Sequence, residues 1–495
     1  MSNTTAITFV VYLVAMLAIG IAAYRLTSTL SDYILGGRRL GPGVAALSAG
    51  ASDMSGWLLL GLPGAVFASG INQMWIGIGL TFGAFLNWWF IAGRLRIYTE
   101  KASDSLTIPD FFENRFRDRS RMLRVISAAV ILLFFTFYTS SGLVAGAKLF
   151  QSSFDMSYQS ALWVGAIVII SYTFLGGFLA VSWTDFVQGI LMFLALCAVP
   201  VVTIMEVGGW NETVTRVAAV DPSYLDAFSG MTFMGIVSLL AWGLGYFGQP
   251  HILARFMALR SANDVPKARF IGMGWMVVSL FGSIFTGFVG IAYLSQGNPL
   301  GDEEQVFIVL TNVLFHPVIA GILMAAILAA IMSTIDSQLL VASSAITEDF
   351  YKQLFRRNAG DLELVWIGRL SVLAIALLAI WMASDPERSV LDLVSYAWAG
   401  FGGAFGPIII LSLTWERLSR NGALLGIIVG ALTVVIWGNI SGGEFAGGIF
   451  DIYEILPAFI LCGATAIIVS LFGSKVSPEV HEEFLSVKEE LKQAK

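Results

Sequence analysis

The chain has 495 residues, of which 57% are apolar and 13% charged, with a mean hydropathy of +0.79. That balance lies far outside the range of a soluble globular domain and fits a polytopic membrane protein. A net charge of −6 and a pI near 5.2 give no basic surface for nucleic acid, so no nucleic-acid partner is expected.

Thirteen apolar segments long enough to cross a bilayer are centred near residues 15, 57, 82, 135, 170, 195, 243, 282, 332, 373, 402, 431 and 462. The expected fold is therefore all-α, with about 13 transmembrane helices across residues 1–473 and a charged cytoplasmic tail at 474–495. Lys and Arg are enriched in cytoplasmic connections. With the N-terminus outside, 25 of the 28 Lys+Arg fall inside, and only Lys148, Arg216 and Arg388 fall outside. Thirteen spans then place the C-terminus in the cytoplasm. Met1–Thr8 has no positive n-region, which reads against a signal peptide.

The second span is interrupted at "SAGASDMSG", Ser48 to Gly56, where glycine and small polar residues surround Asp53. An unwound backbone at membrane depth is tolerated only where it is buried in protein or lines a cavity. Such a break frees carbonyls at Ala51 to Met54, which suit a small cation, and N–H groups at Ser55, Gly56 and Trp57, which suit a carboxylate. Asp53 supplies negative charge to attract the cation, or else caps the second half-helix.

The seventh span is broken in the same way at "AWGLGYFGQP", Ala241 to Pro250. If spans 2–6 (about 42–206) and 7–11 (about 230–415) are two five-helix units, each interrupted span opens its unit. An odd number of spans per unit inverts one relative to the other. That is the arrangement of an inverted-repeat secondary transporter with its substrate at the midplane.

In the ninth span, "ILAAIMSTIDSQLLVASSAITED", Ser333 and Ser337 are one turn apart and Thr334 lies about 100° round the helix from Ser333. These hydroxyls, with two or three carbonyls, make an oxygen cage for dehydrated Na⁺, or serve as hydrogen-bonding glue between helices. Asp336 is a second buried carboxylate in the same stretch. Cys197 and Cys462 fall in spans and read as packing residues rather than a disulfide. His251, His316 and His481 are scattered without ligand spacing, and no phosphate loop is present, so metalloenzyme chemistry and ATP-driven transport have no apparatus. The tail, "SPEVHEEFLSVKEELKQAK", reads as a solvated charged helix.

The segments "YILGGRRLGP", "LSAGASDMSGWLLLGLPGAVF", "TFLGGFLAVSWTDFVQ", "WGLGYFGQPHILARFMA", "AAIMSTIDSQLL", "SSAITED" and "SYAWAGFGGAFGP" resemble the solute:sodium symporter family, in order from about Tyr33 to Gly473. The resemblance implies a leucine-transporter-type 5+5 inverted repeat with one extra helix before it and two after. It implies Na⁺-coupled uptake of L-proline in a bacterial inner membrane, with no cofactor beyond the coupling ion and Li⁺ as a candidate substitute. Carried over position by position, the sodium site falls on the carbonyls of Ala51, Met54 and Ala330 and the hydroxyls of Ser333 and Thr334, with Asp53 nearby. The proline site falls on Ser55, Gly56, Trp57, Tyr138, Trp242, Tyr246 and Pro250. Arg38 and Asp185 match polar positions at cytoplasmic span ends, as an inner gate or ion path or as plain helix-end charges. Asp336 and Ser337 depart from some proline-transporting relatives, which bears on ion selectivity. The alternative reading is the same fold moving a sugar, carboxylate or vitamin.

Overall fold

The computed structural model describes residues 3–24, 30–173, 177–294, 300–356, 358–441, 448–473 and 476–493. Among the described residues every regular element is helical, and the one strand-like contact is a bridge between Leu40 and Leu259. Helices are what hydrocarbon demands, because they satisfy each backbone group within the segment.

The first broken span consists of α2 (Pro42–Asp53) and α3 (Leu62–Ser69), and it follows α1 (Asn3–Tyr24). Next come α4 (Met74–Leu86) and α5 (Ala92–Lys101), joined by a wide helical turn, Asn87–Ile91, and then the short α6 (Ile108–Phe116). Three longer helices, α7 (Met122–Phe154), α8 (Tyr158–Thr173) and α9 (Phe178–Val207), precede the second broken span, α10 (Phe233–Leu240) and α11 (Pro250–Met257). The chain continues through α12 (Val265–Leu294), α13 (Pro317–Ser344), α14 (Asp361–Met382) and α15 (Val390–Thr414). It closes with α16 (Arg420–Ser441), α17 (Ile455–Phe472) and α18 (Pro478–Gln493). Nine described helical segments are long and apolar enough to cross a membrane. Four shorter apolar helices, Ile7–Ile19, Trp57–Ser69, Tyr158–Ile170 and Phe233–Gly248, lie at or near the remaining expected places.

Helix α13 is the central post, with Met324 to Leu340 buried almost throughout and α1, α2, α7, α9 and α14 packed around it. Large apolar side chains such as Phe82, Leu194, Trp381 and Leu432 are exposed on the outside, where hydrocarbon would cover them.

Both broken spans have local causes. Pro42 starts α2 after an extended Gly41, a position where its missing N–H costs nothing. The helix stops at Met54 (φ −81, ψ 71) and resumes in a wide turn at Trp57–Gly61. The second break is a tight helical run, Ala241–Gly248, ended by an extended Gln249 and Pro250. Its glycines let it lie backbone on backbone. A Cβ on Gly83 of α4 would sit inside the atoms of Gly243, and one on Gly248 inside those of Phe401 of α15.

Cys197 and Cys462 are both free, in line with the packing role. The tail differs from expectation. It is a helix, but Val480, Phe484 and Val487 are buried on the α5–α6 side, with Phe484 against Tyr98 and beneath the Arg115 guanidinium. Arg117 pairs with Glu483, and Lys101 with Glu490 at 3.0 Å. The stripe Val480–Phe484–Val487 recurs at helical spacing, so the face is amphipathic and docks rather than standing in solvent.

Candidate cation and substrate site

The break in α2 leaves the last carbonyls of the helix, Ala51 O among them, without their usual helical donors. The Met54 N–H still reaches Gly50 O at 2.9 Å, but the Ser55 N–H turns to Asp53 O at 2.9 Å, so Ala51 O receives no bond from residue 55. It accepts instead from Ser333 Oγ at 2.8 Å and Thr334 Oγ1 at 3.5 Å, and Ser333 Oγ also reaches Ala330 O at 3.1 Å. Ala51, Ala330, Ser333 and Thr334 are thus brought together in a fully buried, charge-free cluster of oxygens. Met54 is fully buried as well, and it lines the cavity on the Asp53 side. Neutral oxygens of this kind replace the hydration shell of a small cation, which then keeps its charge without a matched anion in the shell.

The Asp53 carboxylate points away from that cluster. Its Oδ2 accepts from Tyr246 OH, and it lines a small cavity with Met54, Asn87, Trp88, Tyr246 and Met276. The backbone oxygen of Asp53 faces the break, accepting from Tyr138 OH at 3.1 Å and Trp57 Nε1 at 3.2 Å. The Trp57 N–H is met by Ser55 Oγ at 3.5 Å rather than by the carboxylate, so the capping alternative for Asp53 does not describe this geometry. Asp53 ties the two broken spans to each other.

The expected substrate residues form a nearly continuous wall. The Trp57 and Trp242 rings lie 6.3 Å apart, Trp242 continues to Tyr453 at 5.4 Å, and Tyr246 stands edge-on to Trp398 at 5.0 Å. Tyr138 adds its ring 6.0 Å from His251. Gly56 is where backbone must approach closely, because a Cβ there would lie 2.6 Å from Ala145 Cβ. Pro250 is set apart, one turn beyond Tyr246. It lines a second cavity with Ala254, Met257, Leu340, Ser344 and the Leu106–Pro109 segment.

Asp185 is not a helix-end charge. It is fully buried, accepting from Ser48 Oγ at 2.7 Å and from Arg255 Nη2 at 3.1 Å. Arg255 also donates to Ser337 Oγ at 2.5 Å, Ser48 Oγ at 3.0 Å and His251 O at 2.9 Å. This one guanidinium joins α2, α9, α11 and α13. Sequence reasoning missed it, although an arginine inside the apolar run "HILARFM" is itself a sign of a buried carboxylate partner. Asp336 is fully buried next to Ser337, and with Asp185 it lies within electrostatic reach of Tyr12 on α1.

Arg38 occupies left-handed backbone (φ 53) and bonds to Asp104 at 2.8 Å, Thr99 at 3.0 Å, Met257 O at 2.8 Å and Ser105 O at 2.8 Å. Burial pulls its guanidinium below the ordinary arginine range, and the Asp104 carboxylate restores part of that loss. Nearby, Arg124 holds Asp349 at 2.7 Å, Asp110 at 2.5 Å and Glu113 at 3.1 Å. Arg38 and Arg124 together fasten the Leu106–Pro109 segment across the cavity that Pro250 lines.

A helical membrane protein whose two broken spans meet over a neutral oxygen cage and an aromatic wall defines a cation-coupled secondary transporter. Residues 33–430 match the sodium:solute symporter family. The chain belongs to that family. It is 54% identical over 488 residues to the sodium/proline symporter of Salmonella typhimurium, covering 98% of this chain and 96% of that one. It is 55% identical over 470 residues to the high-affinity proline transporter of Bacillus subtilis, covering 95% and 98%. Identity is 51% to the osmoregulated proline transporter of the same organism, with both chains fully covered. Among solved structures, a Na⁺-coupled sialic acid symporter in a substrate-bound outward-open state superposes with a TM-score of 0.79 at 18% identity, covering 96% of this chain and 99% of that one. A nucleobase-cation-symport-1 family transporter gives 0.56 at 13% identity, covering 93% and 99%. These two likenesses speak for the leucine-transporter-type fold.

Proposed function

We propose that this chain imports L-proline with Na⁺ by alternating access across a bacterial inner membrane, with its N-terminus outside and its C-terminus in the cytoplasm. The observation that carries the coupling is the Ala51 carbonyl, released by the helix break and met by Ser333 and Thr334. Ala51, Met54, Ala330, Ser333 and Thr334 hold the ion. Ser55, Gly56, Trp57, Tyr138, Trp242 and Tyr246 hold the amino acid: the half-helix amides beyond the break face its carboxylate, and the aromatic rings face its pyrrolidine ring. Pro250 lies on the exit side. The choice of proline rests on relatives of that name, more than 50% identical over nearly the whole chain.

Two units, about 42–206 and 230–415, rock against each other, each opened by its broken span. Asp53 and Arg255 stand where they meet. Proline is a zwitterion, so one Na⁺ per substrate makes each cycle electrogenic. At about 150 mV the electrical term is about 3.5 kcal/mol, and a tenfold Na⁺ gradient adds about 1.4 kcal/mol, enough for roughly a thousandfold accumulation.

The test is labelled proline uptake into proteoliposomes with Na⁺, Li⁺, H⁺ and voltage gradients imposed one at a time. An inward Na⁺ gradient should drive uptake, an inside-negative potential should increase it, and a proton gradient alone should drive little. Undiminished uptake without Na⁺ and Li⁺ would falsify the coupling, and failure of unlabelled proline to compete would remove the substrate.

A further inference from the structure

We propose that the exposed patch formed by the Asn87–Ile91 turn, the start of α5 and the start of α12 binds the headgroup of one anionic phospholipid. Three observations converge there. The Arg269 guanidinium stacks 4.3 Å from the Trp89 ring centroid and 5.9 Å from that of Phe85, crossing from α12 to the lipid side of α4. Arg94 reaches back to Phe90 O at 2.6 Å and lies 5.9 Å from the Phe90 ring, so its guanidinium stays at the level of the turn. Neither arginine is in an ion pair among the described residues, whereas Arg38, Arg96, Arg117 and Arg124 on the same side are each paired with a carboxylate.

The room for a headgroup is also present. Gly93 lies one helical turn beyond Trp89 and next to Arg94, and a Cβ built on it would meet nothing within 4 Å. Around Gly93 the side chains of Phe85, Trp89 and Phe90 are exposed, with Phe270 of α12 82% exposed beside Arg269. Exposed aromatics at this depth mark the boundary between acyl chains and headgroups, and two fork-shaped donors there match a phosphate diester. Stacking fixes the Arg269 plane while leaving its N–H edge available. A zwitterionic lipid would bring an ammonium of its own against the same two arginines, so the charge selects a phosphatidylglycerol- or cardiolipin-like headgroup.

The site sits behind the substrate wall. The opposite face of the Asn87–Ile91 turn carries Asn87, which donates to Tyr246 O at 2.9 Å, and Trp88, whose ring is 4.4 Å from that of Phe256 on α11. A lipid held on the outer face therefore bears on the turn that supports the second broken span.

The experiment uses the purified full-length protein in detergent, titrated with short-chain phosphatidylglycerol, short-chain phosphatidylcholine or inorganic phosphate, and read by native mass spectrometry. Phosphatidylglycerol should bind most tightly. Arg94→Gln and Arg269→Gln should each weaken it about fivefold, the equivalent of about 1 kcal/mol per basic residue, and the pair by about 25-fold. The Arg94→Lys/Arg269→Lys pair keeps the charge but loses the fork and the stacking, so it should bind more weakly than the parent yet clearly more tightly than the Gln pair, which separates lost charge from lost folding. Equal binding of the two lipids, an unchanged affinity in the Gln pair, or a monodisperse Lys pair as weak as the Gln pair overturns the proposal. Inorganic phosphate that displaces the lipid at equal concentration overturns the choice of a lipid.

Discussion

Asp53 has two jobs at the atomic level. Its carboxylate accepts from Tyr246, and its carbonyl accepts from Tyr138 and Trp57. Asp53→Asn keeps the backbone contacts and an acceptor for Tyr246 but removes the negative charge two residues along from the Ala51 carbonyl. Na⁺-dependent proline uptake, normalised to membrane-embedded protein, should collapse or require far higher Na⁺, while Asp53→Glu should keep partial activity. Near-normal Na⁺ dependence in the Asn variant would show that charge is not what matters. For Arg255 the expectation concerns folding as well. Arg255→Gln strands a fully buried Asp185, which typically costs about 3–5 kcal/mol, and adding Asp185→Asn should recover much of the loss because no lone charge then remains. The reading is the apparent Tm of the single and double variants; equal Tm values would disprove the pair. Asp53 stood out in the sequence as a lone charge in a stretch of spanning length. Arg255 carried a weaker signal, an arginine in an apolar run but near the end of its span, where such a side chain ordinarily snorkels to the interface.

At the scale of elements, both breaks were legible because glycines and small polar residues cluster where a plain spanning helix would be apolar. What filled the second break was not legible. The tight helical run Ala241–Gly248 depends on Gly79 and Gly83 of α4 and on Gly402 of α15 lying against it, partners far away in sequence. Gly83→Ala improves the local helix propensity of α4 by about 1 kcal/mol, yet its Cβ would collide with the Gly243 backbone. We expect a marked loss of folded protein in detergent, seen as a lower monodisperse fraction on size-exclusion chromatography. A gain in stability would mean that the contact is loose. The tail shows the converse failure. Its helix was legible from composition, but its docking was not, because the receiving face is assembled from Tyr98 and Arg115, nearly 400 positions earlier. Removing residues 478–495 should lower the apparent Tm by a few degrees through loss of the Phe484 and Val487 burial and leave Na⁺ affinity unchanged.

Across the whole molecule, charge is concentrated at one end. Arg38 with Asp104, and Arg124 with Asp110, Glu113 and Asp349, hold the Leu106–Pro109 segment over the cavity lined by Pro250, Ala254 and Met257. Opening on that side has to break these pairs. Arg124→Gln should therefore make a cysteine at Ala254, in a chain with Cys197→Ser and Cys462→Ser, react several-fold faster with a membrane-impermeant maleimide added to inside-out vesicles. An unchanged rate would place the barrier elsewhere. The thirteen apolar stretches and the bias in basic residues made this end recognisable as a side of the membrane. The pairing itself was hidden, because each arginine finds its carboxylate on a different helix.

The glycine contact between the Ala241–Gly248 run and its neighbours α4 and α15 has a mechanical meaning. Packed helices usually hold position because ridges of side chains sit in grooves, and moving one past another means lifting each ridge over the next. At Gly79, Gly83 and Gly402 bare backbone faces bare backbone, so at those crossings there is no ridge to lift, while Trp398 and Asn87 pin the run through the Trp242 and Tyr246 carbonyls. Displacement along this seam meets low friction and can proceed in fractions of an ångström, with the weak Cα–H···O contacts of such surfaces, about 0.5–1 kcal/mol each, exchanged one at a time. The glycine crossings then act as a bearing.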